Sequence, residues 1–290
     1  MTLLTIRQIK KQIQQLTNEE RVSLLPSFWL TDWLLYVIDR PALFLITDES
    51  YELTDSERTR FEDGVIKMQQ GVPLAYLTGQ QAFWSLNFLV NEHTLIPRPD
   101  TEVLIEQVLN WITTQPAQVS NKRLLDLGTG SGCIAISLAH ELKKDNWQVV
   151  AVDLSSEALS VAQRNADLNG VDNVKFVQSS WYDELSTQDT SLFDIIVSNP
   201  PYIDEADEHL ARLVAEPISA LSAPNHGLAD IEQIVQQATN YLRSGGLLAI
   251  EHGFDQGRAV RQLFLENDFE SVTTVQDYGG NDRVTLGHGR

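Results

Sequence analysis

The chain is poor in cysteine and in positive charge, and it has no long apolar run. Among its 290 residues there is one cysteine, Cys133. No disulfide can form within the chain, which fits a reducing cytosol. No apolar stretch approaches the ~20 residues that a membrane-spanning helix needs. The opening MTLLTIRQIKKQIQQL is amphipathic and lacks the unbroken apolar core of a secretory leader. The six histidines are scattered without metal-ligand spacing, so no metal is expected. Lys and Arg number 21 against 40 Asp and Glu, a net charge of −19. The deficit is uneven. Residues 1–80 carry 8 basic and 11 acidic side chains, a balance of −3, and residues 81–290 carry 13 and 29, a balance of −16. Nucleic-acid binding draws its affinity from neutralised phosphates. The larger part of the chain is poorly suited to that, and a basic macromolecule or a small uncharged group fits it better.

What is present is the composition of a folded protein, 42% apolar, long enough for one large and one smaller domain. Residues 1–80 read as four or five short helices. Ile6, Ile9, Ile13 and Leu16 recur at helical spacing. Asn18 is placed to cap a second helix from Glu19, Pro26 interrupts it or marks a new start, and Thr54 or Asp55 opens another that Gly71 closes. Residues 81–98 change character. Phe83, Trp84, Leu86, Phe88 and Val90, then the polar Asn91-Glu92-His93, then Leu95 and Ile96, predict a β-hairpin with its turn at 91–93. Asp100 is expected to cap the next helix, and Gln115 to Asn121 to form a loop. From Arg123 onward, strand and helix alternate. Strands are predicted at Arg123–Leu127, Gln148–Val152, Val174–Gln178, Phe193–Ser198 and Leu247–Glu251, with helices at Cys133–Leu142, Ser156–Asn169, Ile231–Leu242 and Gln256–Asn267. Such alternation implies an α/β domain over residues 99–290, with a mostly parallel sheet covered on both faces. Two closing runs, Ser271–Gln276 and Arg283–Gly287, predict a terminal hairpin with an antiparallel strand at the sheet edge.

The first of these strands leads into Asp126-Leu127-Gly128-Thr129-Gly130-Ser131-Gly132. Glycines there let a ligand approach the backbone at a strand's carboxyl end. A dinucleotide site calls for G-x-G-x-x-G with pyrophosphate on the helix N-terminus. Here the third glycine falls one residue early, and Asp126 is an awkward neighbour for pyrophosphate. A sulfonium cofactor with an amino-acid tail fits better, with Gly128, Gly130 and Gly132 permitting contact. Asp153, ending the second strand, is positioned to accept hydrogen bonds from ribose hydroxyls, a role common to both ligand classes. After the third strand, Trp181 is expected to cover an adenine face, with Tyr182 and Asp183 at the pocket edge.

The fourth strand delivers Asn199-Pro200-Pro201-Tyr202. An amide or ring-attached nitrogen has its lone pair delocalised and is a weak nucleophile. Two acceptors, the Asn199 side-chain oxygen and the Pro200 carbonyl, can hold its two N–H bonds and turn the lone pair toward an electrophile. Proline fixes its own φ and biases Asn199 toward extended backbone. Tyr202 is expected to pack flat on the planar group. Near it, Asp204-Glu205-Ala206-Asp207-Glu208 is an acidic loop, solvated or attractive to a basic partner. Arg98, Thr101, Glu102 and Glu216 either close the site or serve local structure.

These residues together resemble the protein-(glutamine-N5) methyltransferases that modify peptide chain release factors. The resemblance spans nearly the whole chain. It rests on Pro73-Leu74-Ala75-Tyr76-Leu77-Thr78-Gly79, the hairpin, Leu95-Ile96-Pro97-Arg98-Pro99-Asp100-Thr101-Glu102, the glycine loop, Asn199-Pro200-Pro201-Tyr202, Glu216-Pro217 and Asp282-Arg283. It implies a class I S-adenosylmethionine-dependent methyltransferase fold, Rossmann-like, joined by the hairpin to a helical substrate-recognition bundle. It also implies S-adenosyl-L-methionine as cofactor and the glutamine of a Gly-Gly-Gln motif as acceptor. By motif, Gly128, Thr129, Gly130, Ser131, Gly132, Asp153, Trp181 and Asn199 are its cofactor residues. Asn199, Pro200, Pro201 and Tyr202 are its residues for the glutamine amide. Asn-Pro-Pro-Tyr is shared with adenine-N6 methyltransferases of DNA and RNA, and a related enzyme modifies a ribosomal-protein glutamine. Both remain alternatives, as does a cofactor-binding scaffold without turnover.

Overall fold

The computed structural model describes residues 4–18, 25–114, 122–185 and 192–290. The chain divides into two compact units, Met1–Gly79 and Gln80–Arg290. The hairpin belongs to the second unit and is not a separate linker.

The first unit contains α1 (Ile6–Asn18), α2 (Ser27–Ile38), α3 (Phe44–Thr47), α4 (Asp55–Gln69) and α5 (Leu74–Thr78). The helix start expected at Glu19 lies outside the described residues. Pro26 stands at the cap position of α2 with extended backbone, so it begins that helix. Thr54 and Glu57 form a reciprocal capping box on α4, each side chain accepting the other's backbone N–H. The apolar stripe of α1 (Ile6, Ile9, Ile13) packs with Leu30, Trp33, Leu34, Phe61 and Met68. The Trp33 indole N–H donates to the Phe61 carbonyl at 3.1 Å, so this tryptophan is a core residue with its polar edge satisfied.

The second unit begins with the hairpin β1 (Gln80–Phe83) and β2 (Leu86–Leu89), followed by a 3₁₀ turn at Pro99–Thr101 and α6 (Glu102–Thr114). Then come β3 (Arg123–Leu127), α7 (Cys133–Glu141), β4 (Gln148–Asp153), α8 (Ser156–Leu168), β5 (Val174–Gln178) and β6 (Phe193–Ser198). A two-residue pair, β7 (Ile203–Asp204) with β8 (Ser222–Ala223), precedes α9 (Pro224–Gly227) and α10 (Ala229–Ala238). The chain closes with β9 (Leu242–Glu251), α11 (Gly257–Glu266), β10 (Glu270–Gln276) and β11 (Asp282–His288).

The main sheet has the order β10-β11-β9-β6-β3-β4-β5. Strands β9, β6, β3, β4 and β5 are mutually parallel. Strand β11 runs antiparallel to both neighbours. The antiparallel strand is therefore not at the edge, as its place in the sequence had implied. It inserts between β9 and β10, and β10 forms the edge. Side chains alternate across the central strands. Leu124, Ile195, Val197, Leu247 and Ala249 join one apolar cluster with α6 and α7, and Leu125, Leu127, Ile196, Leu248 and Ile250 join the other with α10 and α11. Burial on both faces explains why these strands read as unbroken apolar runs.

Two local expectations differ from the structure. The hairpin turns at Trp84-Ser85, not at 91–93. Trp84 adopts φ +55°, held by its N–H on the Glu102 carboxylate (2.8 Å) and its indole N–H on Glu141 (2.8 Å). Asp100 does not cap α6: it lies within the 3₁₀ turn, whose cap position is Arg98 without a side-chain bond.

Asn165, fully buried on α8, ties the hairpin to the glycine loop. Its amide donates to the carbonyls of Leu89 (3.0 Å) and Ser131 (2.8 Å) and accepts the Leu89 N–H (2.6 Å). Asn165→Ala orphans three backbone groups, so urea unfolding should show a loss of at least about 2 kcal/mol, and a loss under about 0.5 kcal/mol would show that the hairpin is held by other contacts.

Candidate active site

The parallel register sets out the site. Val152 pairs with Leu127, Leu127 with Ser198, and Ser198 with Ile250. The next residue on each strand is Asp153, Gly128, Asn199 and Glu251. These four therefore form one row across four adjacent carboxyl ends, spaced about 4.8 Å strand to strand. Chain order reverses across this row: β3 leads to β4 on one side, and β6 returns to its other side. Ligands in open α/β sheets bind in such a crevice.

Gly128 leaves β3 with φ +72°, which an L side chain rarely adopts, and a Cβ there would come within 3.3 Å of the Trp181 ring. A Cβ on Gly130 would meet nothing within 4 Å, so this glycine borders open space. The Gly130 N–H donates to Asp153 Oδ2 at 2.8 Å, and the Ser155 N–H to Oδ1 at 2.9 Å. Asp153 thus fixes the loop while each of its oxygens keeps a second lone pair. It does not cap α8; Ser155 does, accepting the Ala158 N–H at 3.0 Å. Burial raises the Asp153 pKa, opposed by the backbone N–H groups of Ser155, Gly130 and Leu154.

The side chains of Thr129 and Ser131 turn inward and are buried. Thr129 donates its hydroxyl to Asp126 Oδ2 at 2.6 Å. Only the backbone of these two residues remains available at the loop surface. Asp126 lies wholly buried beneath the loop, so its help to a ligand is indirect. Burial pushes its carboxyl up to about 7, with the Thr129 and Ala135 hydrogen bonds opposing and the Asp153 charge adding.

After β5 the two aromatic residues part. Trp181 has φ +45°, its carbonyl held by the Ser179 hydroxyl at 3.0 Å and its ring lying against Gly128. Tyr182 is not at the pocket edge, contrary to expectation. It is fully buried, stacked on Tyr241 with ring centroids 4.5 Å apart, and donates its hydroxyl to the Ile234 carbonyl at 3.2 Å. Asp183 is exposed on the following turn.

Asn199 is held by a residue from another part of the chain. Its Nδ2 donates to Thr101 Oγ1 at 3.2 Å, which leaves Oδ1 as the outward acceptor. Thr101 is buried in the 3₁₀ turn that precedes α6. Pro200 is buried and Tyr202 half-buried. The Tyr202 carbonyl accepts from Gln256 Nε2 at 2.9 Å, and Gln256 also binds the His226 carbonyl at 2.9 Å. Behind it, Asn225, His226 and Gly227 all have positive φ. A Cβ on Gly227 would fall 2.0 Å from the Tyr202 oxygen, so only glycine permits this approach.

Segment 98–102 serves as a brace. Arg98 pairs with the buried Glu216, which also accepts the Ile96 N–H at 3.1 Å. Asp100 lies 3.6 Å from Arg283, itself bound to Asp277 at 3.0 Å. The site residue that escaped the sequence reading is Glu251, fully buried at the end of β9, whose Oε1 accepts the Tyr202 hydroxyl at 3.3 Å. Its only sequence signal was a charged residue ending an apolar strand. Among the described residues no group of His, Cys, Asp and Glu could hold a metal ion.

A family model described as a methyltransferase domain matches residues 118–280. Over 256 residues the chain is 44% identical to the release factor glutamine methyltransferase of Escherichia coli K12, covering 88% of this chain and 89% of that protein. The chain belongs to the release factor glutamine methyltransferase family. The namesake protein of Aliivibrio fischeri is 42% identical over 281 residues, covering 96% of this chain and 95% of its own. Among solved structures, the hMettl16 catalytic domain in complex with a 3'UTR hairpin superposes with TM-score 0.54 at 18% identity, covering 89% of this chain and 91% of that one. A Thermus thermophilus 16S rRNA methyltransferase in complex with AdoMet and guanosine gives 0.52 at 18% identity, covering 73% and 50%. At such identity the likeness is one of fold.

In this member of the family the buried Asp126 has a stability consequence. Its folded pKa lies above its unfolded value. The cost of its charge is absent below the unfolded pKa, grows as pH rises, and is complete above about pH 7. Asp126→Asn should therefore raise the melting temperature more at about pH 8 than at about pH 5. An equal or smaller gain at the higher pH, by calorimetry, would show that the lost hydrogen bonding outweighs the relieved charge.

Proposed function

We propose that this protein transfers the methyl group of S-adenosyl-L-methionine to the side-chain amide N5 of the glutamine in the Gly-Gly-Gln motif of peptide chain release factors. The observation that carries this reading is the fixed polarity of Asn199. With Nδ2 engaged by Thr101, Oδ1 faces the crevice as an acceptor, which is what an amide N–H requires. The Pro200 carbonyl supplies the second acceptor, and no donor among the described residues occupies it. Holding both N–H bonds aims the nitrogen lone pair, an orientation effect worth up to roughly 7–11 kcal/mol. The same acceptors stabilise positive charge developing on nitrogen. Tyr202 lies against the amide plane.

The residues present fit the cofactor. Gly128 and Gly130, with the backbone of Thr129, Ser131 and Gly132, border the space for its amino-acid tail. The spare lone pairs of Asp153 suit two ribose hydroxyls, Trp181 offers a ring face to adenine, and Asn199 stands between tail and acceptor. When bound, the cofactor supplies a methyl carbon on a positive sulfur. Transfer would form the N–C bond as the S–C bond breaks, and the amide would shed one proton afterwards. The helical unit is assigned to recognition of the release factor, and the cytosol to the site of action. A net −16 over residues 81–290 disfavours the adenine-N6 alternative.

Purified protein, labelled cofactor and a folded bacterial release factor should place label on the Gly-Gly-Gln glutamine. Label appearing instead on a ribosomal protein, DNA or RNA would overturn the reading. Asn199→Ala should lower turnover by at least about 100-fold while cofactor affinity changes far less. Near-normal turnover would remove the two-acceptor mechanism.

A further inference from the structure

The segment Asn199-Pro200-Pro201-Tyr202 has two held ends and a stiff middle. Asn199 and Pro200 each precede a proline and are biased to extended backbone. Pro200 and Pro201 have fixed φ and no N–H with which to anchor themselves. The segment therefore moves as a short rod, and its direction is set from its ends. Strand β6 and Thr101 hold the Asn199 end. The Tyr202 end is held by Gln256. Its Nε2 donates to the Tyr202 carbonyl (2.9 Å) and to the His226 carbonyl (2.9 Å), and its Oε1 accepts the Gly253 N–H (2.8 Å). Both N–H bonds of this amide are used. A flipped amide would set its oxygen against two carbonyl oxygens, so the partners fix its orientation. Gln256 stands at the cap position of α11 yet gives that helix no side-chain cap.

We propose that Gln256 is a positioning residue: by gripping the Tyr202 carbonyl it fixes the direction of the Pro-Pro rod, and so aims the Pro200 carbonyl, the second acceptor for the substrate amide. The inference rests on the methyl-transfer reading of the site. The grip has a purpose-shaped surround. A Cβ on Gly227 would fall 2.0 Å from the Tyr202 oxygen and 2.9 Å from Gln256 Nε2, so the bare glycine leaves the room in which carbonyl and amide meet. Asn225 and His226, just before it, both have φ +55°. Two successive non-glycine residues in that region are rare and costly. Their turn presents the His226 carbonyl to Gln256. Strained backbone persists where its surroundings over-determine it. Here Asn225 Nδ2 donates to Glu232 Oε1 at 2.7 Å, and His226 Nδ1 lies 2.7 Å from Asp204 Oδ2. Asp204 itself belongs to β7, which continues from Tyr202 and pairs with β8. Gln256 thus joins the end of the rod to a turn already tied to the same stretch of chain.

The Pro200 carbonyl lies two residues before the gripped atom. Because the rod is stiff, a shift at Tyr202 is passed back to it. A misplacement of about 1 Å at a reacting centre can cost about 100-fold in rate. The grip touches neither the glycine loop, nor Asp153, nor Trp181, since all three bonds of Gln256 go to Tyr202, His226 and Gly253. Its loss should therefore lower kcat and leave affinity nearly unchanged, the mark of an interaction that serves the transition state.

The test compares wild type, Gln256→Glu and Gln256→Leu, with a release factor as substrate. Gln256→Glu keeps the shape and the acceptor for Gly253 but, ionised, has no donor; Gln256→Leu removes all three bonds. Both should lose at least about 30-fold in kcat, with release-factor KM and cofactor Kd changed less than about threefold. The carbonyl is read separately. Pro200-Pro201 is the one Pro-Pro bond in the sequence. Proline enriched in NMR-active carbonyl carbon and ring nitrogen therefore marks a single carbonyl coupled to a proline nitrogen, that of Pro200. It should give one sharp resonance in wild type and a shifted or broadened one in both variants, while the other proline resonances report an intact fold. If Gln256→Leu does not fold, Gln256→Glu carries the test. Wild-type kcat in Gln256→Glu would overturn the proposal, as would a loss confined to KM, or a Pro200 resonance unchanged in position and width. If wild type itself leaves the glutamine unmodified, the functional reading fails instead, and the Pro200 resonance still decides whether Gln256 aims that carbonyl.

Discussion

The register between four parallel strands governs everything else in this molecule. The pairings Val152 with Leu127, Leu127 with Ser198, and Ser198 with Ile250 are ladder hydrogen bonds between apolar or small residues. They carry no chemistry. They do fix where each strand ends: at the partly exposed Asp153, Gly128 and Asn199, and at the buried Glu251. A slip of one residue on any strand would turn its side chains to the opposite face. Burial on both faces, by α6 and α7 on one and α10 and α11 on the other, makes that slip costly. The core therefore specifies the site geometry without touching it.

Much of this was legible in the sequence because two-sided burial writes itself as short apolar runs. Strands β3 and β6 fall where those runs predict them, Thr54 marks a helix start by capping chemistry, and Pro26 marks one by its extended backbone. What was not legible depends on partners distant along the chain. Trp84 turns the hairpin because Glu102 and Glu141 hold its two N–H groups. The polar run at 91–93 was the stronger local signal and gave the wrong turn. Tyr182 and Trp181 are neighbours with opposite fates, because the positive φ at Trp181 reverses the chain between them. No periodicity encodes that reversal. Strand β11 displaces β10 from the place beside β9, a choice that sequence order cannot reveal.

The candidate site shows the same division. The glycine loop, Asp153 and Asn199 announce themselves through motif and spacing. Their supports do not. Thr101 orients Asn199 from 98 residues away. Glu216 holds Arg98 and Ile96, Asn165 joins the loop to the hairpin, and Gln256 fixes the carbonyl of Tyr202. Segment 98–102 seemed on sequence grounds either to close the site or to start a helix. It starts the helix, and the 3₁₀ turn before α6 brings Thr101 to Asn199.

The inserted strand β11 also sets an order of assembly. Val284 pairs with Glu251, and Arg283 reaches Asp277, the His252 carbonyl and Asp100. Until residues 282–288 dock, β9 has an open edge and Glu251 lacks the wall that buries it. A ribosome releases the chain from its amino end, so the glycine loop and Asn-Pro-Pro-Tyr are in place early, and the surroundings of Glu251 are completed last. A partly synthesised chain would carry the recognisable motifs of a methyltransferase yet still lack the enclosed carboxyl.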